Sequence, residues 1–249
     1  MYEDWHLLIL LAAAGICAGA QNAVAGGGSF ITLPALVLAG LDPKLANIAS
    51  TVALFPGQVL SAVSARPQDG HSESLRGFTI VSFMGGGLGA TLLLFTPVAV
   101  FDWLVPWLVL LATALFAWGA VKKEAPGLTR NLHPRLALAL QFPIAVYGGY
   151  FGGGVGFLML ALLGFSGSRL RGAGVIKNRL VAIVNTSAVL IFIATTALPL
   201  ECVAAVGVGA LVGTVYGVWL LKRITEEALT KIIICLGLIV SLGLFIRTV

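Results

Sequence analysis

Two glycine triplets, Gly26-Gly27-Gly28 and Gly152-Gly153-Gly154, interrupt the long apolar runs of this 249-residue chain. Glycine lets the backbone leave a helical path and lets a ligand approach the main chain closely. An apolar half-helix follows each triplet, at 28–40 and 152–165. The first turn of such a helix carries unpaired N–H groups and a partial positive charge. If the two starts meet, their amides form an anion site that needs no charged side chain.

Polar side chains are sparse in the apolar runs, so those present stand out. Gln21 and Asn22 precede the first triplet and Ser29 follows it. Asn47, Ser50, Thr51 and Gln58 lie at near-helical spacing on the next run, and Asn178, Asn185, Thr186 and Ser187 lie on its counterpart. Such residues ordinarily hold membrane helices together. Gln21, Asn22, the pair Ser50 and Thr51 and the pair Asn185 and Thr186 recur beside the triplets or at repeat-related positions, which favours a binding role. With both triplets and Ser29 they make up the expected substrate-binding set.

What is missing narrows the chemistry. All ten acidic residues and all three histidines fall in loops or at the ends of apolar runs. No mid-membrane carboxylate is available to relay protons or hold a cation. Intramembrane metal catalysis would need His or acidic ligands at depth. No metal site, cofactor or enzymatic activity is therefore expected, and no buried lysine or arginine. Cys17, Cys202 and Cys235 lie within or beside apolar runs and read as packing.

Composition decides which solvent surrounds these elements. The chain is 59% hydrophobic and 10% charged, with a mean hydropathy of +1.02. A soluble domain carries about 25% charged residues. Lipid is the solvent that suits this balance. The net charge of +5 is spread over short loops, so it reads as a topology signal and not as a nucleic-acid surface. The acidic start, Glu3-Asp4, does not resemble the basic beginning of a cleaved signal peptide.

Apolar runs predict helices at about 7–25, 45–65, 76–96, 101–121, 135–150, 178–198, 201–221 and 228–247. Most reach the roughly 20 residues that cross a bilayer core. The two half-helices give only roughly 20 Å each, against about 30 Å of hydrocarbon. They are either short tilted spans or, as we favour, arms of re-entrant hairpins with the glycines at the tip. Both options return the chain to the side it came from. With the N-terminus outside, thirteen of the fifteen lysines and arginines fall inside, and only Lys44 and Arg247 fall outside. This bias places both termini outside a cytoplasmic membrane.

The two halves match in order. Leu45–Thr51 pairs with Leu180–Thr186, and Gly86–Thr91 pairs with Gly209–Thr214. Each final helix opens with an acid, Asp102 or Glu226. Three net crossings per half make the second half inverted. The expected fold is an all-α polytopic membrane protein of two inverted repeats, 1–124 and 135–249, joined by a cytoplasmic linker at 125–134. Each repeat holds a re-entrant or broken-helix hairpin plus three transmembrane helices. Transporters recurrently use this plan, with substrate near the midplane between short, glycine-interrupted segments. Small-xxx-small spacing at Gly85 and Gly89, and at Gly209, Gly213 and Gly217, predicts close helix packing. Pro56 is expected to kink its helix.

Ala25-Gly26-Gly27-Gly28-Ser29-Phe30-Ile31-Thr32-Leu33-Pro34 with Ala49-Ser50-Thr51, and Gly148-Gly149-Tyr150-Phe151-Gly152-Gly153-Gly154-Val155-Gly156 with Val184-Asn185-Thr186-Ser187, resemble the paired motifs of the TauE/SafE sulfite exporters, also called toluene-sulfonate uptake permeases. The resemblance spans almost the whole chain. It departs at Leu160, which stands opposite Pro34, and at the basic insert Arg169–Lys177. The resemblance implies transport of sulfite, sulfonates or sulfoacetate across the inner membrane; the residues themselves point to a small anion. The implied partners are that anion and the lipid bilayer, with a homo-oligomer possible. The leading expectation is a secondary transporter working by alternating access, and the alternative is an anion channel lined by the same amides. A receptor or assembly role lacks the long soluble loops it would use.

Overall fold

The computed structural model describes residues 5–24, 26–64, 72–122, 132–165 and 170–221, with four single positions, 234, 235, 238 and 242, further on. Nine helices are present among the described residues and no strand: α1 Trp5–Val24, α2 Ser29–Leu38, α3 Pro43–Ser64, α4 Ser72–Phe95, α5 Val98–Lys122, α6 Pro134–Tyr150, α7 Val155–Phe165, α8 Leu170–Thr195 and α9 Leu200–Leu221. The expected helix 228–247 and most of the linker 125–134 lie outside the described residues.

Local chemistry sets several boundaries. Asp42 Oδ1 accepts the amide of Leu45 at 2.9 Å, and Pro43 opens α3. An aspartate cap followed by proline satisfies one orphan amide and removes another. His133 and Pro134 start α6 in the same way. Lys44 bonds the carbonyls of Leu94 and Thr96 at 2.9 and 2.6 Å. This basic residue, one of the two expected outside, thus caps the end of α4. Pro56 lies inside α3, which runs on to Ser64.

One boundary departs from expectation. The run predicted to begin at 178 begins at Leu170. The expected basic loop is therefore the first two turns of a helix. Gly172-Ala173-Gly174-Val175-Ile176 contains no proline and no polar cluster to stop it. Lys177 consequently lies within an apolar span, Ala173–Thr195, and is 1% exposed. This corrects the expectation that no lysine is buried.

Among the described residues, four helices are long and apolar enough to cross a membrane: Trp5–Ala23, Pro43–Ser64, Arg76–Phe95 and Ala173–Thr195. Large apolar side chains face outward, among them Leu10, Met84, Trp103, Leu190 and Val208. Water would not tolerate such a belt, whereas lipid matches it. Inside, Phe30, Leu33, Leu36, Phe101, Phe151 and Phe192 join α2, α5, α8 and the second glycine turn in one core.

Helices meet in couples. α1 packs on α9 and α4 on α6; α3 packs on α9 and α4 on α8; α3 and α8 pack on each other. α2 lies on α1 and α3, and α7 on α6 and α8. Glycines hold these contacts, as their spacing predicted. A Cβ on Gly19 would lie 2.8 Å from Ala210 Cα, and one on Gly213 2.8 Å from Ile16 Cα. A Cβ on Gly89 would lie 2.7 Å from Tyr150 N. Backbones this close gain dispersion that bulkier residues would forfeit.

Gly213→Val is expected to destabilise the detergent-solubilised protein by about 3 kcal/mol, because backbone atoms cannot step aside. Gly174→Ala meets nothing within 4 Å, so it should be neutral or stabilising by up to about 1 kcal/mol. Thermal melts of the two variants check this; equal melting temperatures would contradict it.

Candidate functional site

The turns between half-helices and their neighbours are built on left-handed glycines. Gly26 and Gly27 have φ of 84° and 86°, and Gly152 and Gly154 both have 75°. Any other L-residue would cost about 1–2 kcal/mol at each. Gly28 is the right-handed residue that caps α2.

Side chains add to the bonds on the turn carbonyls, of which Gly27 O and Gly28 O already accept backbone amides. Gln21 Nε2 donates to Gly27 O at 3.2 Å, and Thr32 Oγ1 donates to Gly28 O at 3.3 Å. Tyr147 Oη donates to Gly153 O at 2.7 Å, and Asn47 Nδ2 donates to Tyr150 O at 3.1 Å. The amides are treated differently. Those of Gly27, Gly28 and Ser29, and of Gly153, Gly154 and Gly156, meet no backbone acceptor among the described residues. Five of the six triplet carbonyls, those of Gly27, Gly28, Gly152, Gly153 and Gly154, are thus engaged, while four of the six triplet amides, those of Gly27, Gly28, Gly153 and Gly154, are left over. An N-terminal turn with spare amides is suited to an anion.

The two breaks touch. A Cβ on Gly26 would lie 3.0 Å from Gly156 Cα, and one on Gly27 3.4 Å from the Phe157 ring. One on Gly152 would lie 3.7 Å from Thr51 Oγ1 and 3.9 Å from Ser29 Oγ. The structure therefore brings both triplets, Ser29 and Thr51 together. Ser50 Oγ lies 2.6 Å from Thr32 Oγ1, beside the first break. Thr51 and Thr186 donate to their own helices, at Asn47 O and Ala182 O.

A narrow pocket with about 10 Å³ of free space opens next to the first break. Asn22, Gly26, Gln58 and Ser61 line it together with Lys177, Asn178 and Val181 of α8. It lies where α3 ends and α8 begins. Asn22 and Gly26 belong to the expected set; Ser50, Thr51, Asn185 and Thr186 do not line this pocket. Asn185 instead reaches it through a neighbour. Its Nδ2 donates to Gln58 Oε1 at 2.6 Å, tying α8 to α3. Gln58 and Asn178 had been visible as polar residues in apolar runs. Ser61 carried no distinguishing signal.

An apolar exterior around an interior of amides, hydroxyls and one buried ammonium defines a multi-pass helical membrane protein. A model of the family described as sulfite exporter TauE/SafE matches residues 11–244, and the chain belongs to that family. It is 28% identical over 165 residues to a probable membrane transporter protein of Haemophilus influenzae, covering 64% of this chain and 65% of the relative. It is 29% identical over 175 residues to the probable membrane transporter protein ORF9 of Sinorhizobium sp., covering 70% and 65%. The chain thus spans just under two thirds of each relative's length. No solved structure matches it significantly.

The Gln58–Asn185 bond should show coupling in a double-mutant cycle with alanine at each position. Interhelical hydrogen bonds in membranes are worth about 0.6–1.7 kcal/mol. Strictly additive losses of stability would mean that the pair does not act as a unit.

Proposed function

We propose that the protein is a secondary transporter for a small sulfur-containing or organic anion of the sulfite, sulfonate and sulfoacetate class. The observation that carries this reading is the pair of touching glycine breaks with most of their carbonyls engaged and most of their amides spare. The substrate-binding set is the two triplets with Gln21, Asn22, Ser29, Ser50, Thr51, Asn185 and Thr186. The relatives' description as probable membrane transporters and the family's description as sulfite exporters support the class of activity and of cargo.

The mechanism is alternating access between two inverted halves, 1–124 and 135–249, in the inner membrane with both termini outside. The packing couples support it. Exchanging α1 for α6, α2 for α7, α3 for α8 and α4 for α9 converts each couple among these eight helices into one that is present; the contacts of α5 with α3 and α7 stand outside the exchange. Such pseudo-symmetry lets one sequence of contacts serve two facing states. The break is the fixed centre, and the bundles rock about it.

Proteoliposomes holding the purified protein should show saturable sulfite or sulfonate uptake that is accelerated by the same anion on the far side. Flux at channel rates without counterflow would favour a pore. Gly27→Leu places a side chain at φ 86° and against the Phe30 ring. Together with Gly153→Leu it should abolish uptake while membrane insertion persists, at a strain of about 1–2 kcal/mol for Gly27. Normal uptake in both variants would move the site elsewhere.

A further inference from the structure

Among the described residues Lys177 is the one charged side chain that is buried, at 1% exposure. It stands seven residues into α8, about two turns from the helix start. An ionisable group at such a place faces a bundle interior or a watery cavity and marks a substrate path. Here it borders the pocket beside the first glycine break. The other lining groups are three side-chain amides, a hydroxyl, the Gly26 main chain and the apolar Val181, and none of the acids whose side chains are described, Asp42, Asp102 and Glu201, is among them. No ion pair or hydrogen bond holds the ammonium among the described residues. An unpaired buried charge is costly, so the pocket calls for an anion from outside the chain.

The neighbours are arranged for the same guest. Asn185 occupies the carbonyl oxygen of Gln58. That leaves the Nε2 of Gln58 as its donor towards the pocket. Asn22, Ser61 and Asn178 add further donors, and Gly26 admits a ligand to the main chain. The first half supplies amides and the second half supplies the charge.

We propose that Lys177 is the charge-recognition residue of the transport site, with Gln58, Asn22, Ser61 and Asn178 binding the oxyanion head of the cargo. The assignment rests on the transporter reading above and deepens it. It departs from a site made of helix starts alone, because the charge comes from a side chain. An ammonium is a point charge without a fixed fork. The site is therefore tolerant among small oxyanions and strict against neutral look-alikes.

Binding to the full-length protein in nanodiscs tests this, with methanesulfonate and sulfite as anions and dimethyl sulfone as the uncharged isostere. Wild type should bind both anions and ignore the sulfone. Lys177→Gln should weaken anion binding at least about tenfold and Lys177→Arg no more than about threefold, since losing a buried charge partner is costly. Arg135→Gln, at an exposed position, should bind as wild type does. Unchanged affinity in Lys177→Gln overturns the assignment while the transporter reading stands. No anion binding by wild type overturns the transporter reading and this one with it. Should the glutamine variant not fold, wild type decides alone: methanesulfonate should protect Lys177 from an amine-reactive label several-fold and leave Lys44 unaffected. Equal labelling with and without the anion overturns the assignment.

Discussion

Inside a bilayer a backbone polar group has no water to turn to, so a chain that breaks its helix at depth must enclose the break in protein. Much of this structure answers that constraint. Gln21, Thr32 and Tyr147 donate to the turn carbonyls themselves, and Asn47 donates to Tyr150 O just before the second turn. Each break also leans on the other, Gly26 against Gly156 and Gly152 against Thr51 and Ser29. What the enclosure leaves over is a set of donors. The same rule that makes a broken helix expensive in lipid thus leaves a donor-rich turn, the kind of surface that suits negative charge.

Enclosure requires the helices to interlock without help from a hydrophobic drive, since lipid tails are as apolar as leucine. Close approach supplies the attraction instead. Gly15 and Gly19 meet α9, Gly209 and Gly213 return the contact to α1, and Gly85, Gly86 and Gly89 do the same between α4, α6 and α8. Larger residues on the opposite faces of these helices point outward, towards lipid.

Features set by local pattern could be read from the chain alone. The triplets, the short half-helices and the glycine faces depend on composition and spacing, and the structure has them where the runs of residues place them. Features set by tertiary register could not. The residues around Lys177 look like a loop because four basic side chains crowd Arg169–Arg179. The continuation of α8 through Gly172–Ile176 is what turns Lys177 inward. The partner of Asn185 is 127 positions away at Gln58, and no periodicity reports such a distance. Ser61 is one serine among many until α3 ends beside α8.

The most extensive contact of α1 is with α9, which begins at Leu200. Ribosomes add about 5–20 residues per second. The first helix therefore spends on the order of ten to forty seconds in the membrane before its main partner exists. During that wait its glycine face, Gly15 and Gly19, is open to lipid or to a wrong neighbour. Biogenesis of this protein thus has a vulnerable interval written into its topology. An insertion chaperone that shields small-residue faces would act on it there.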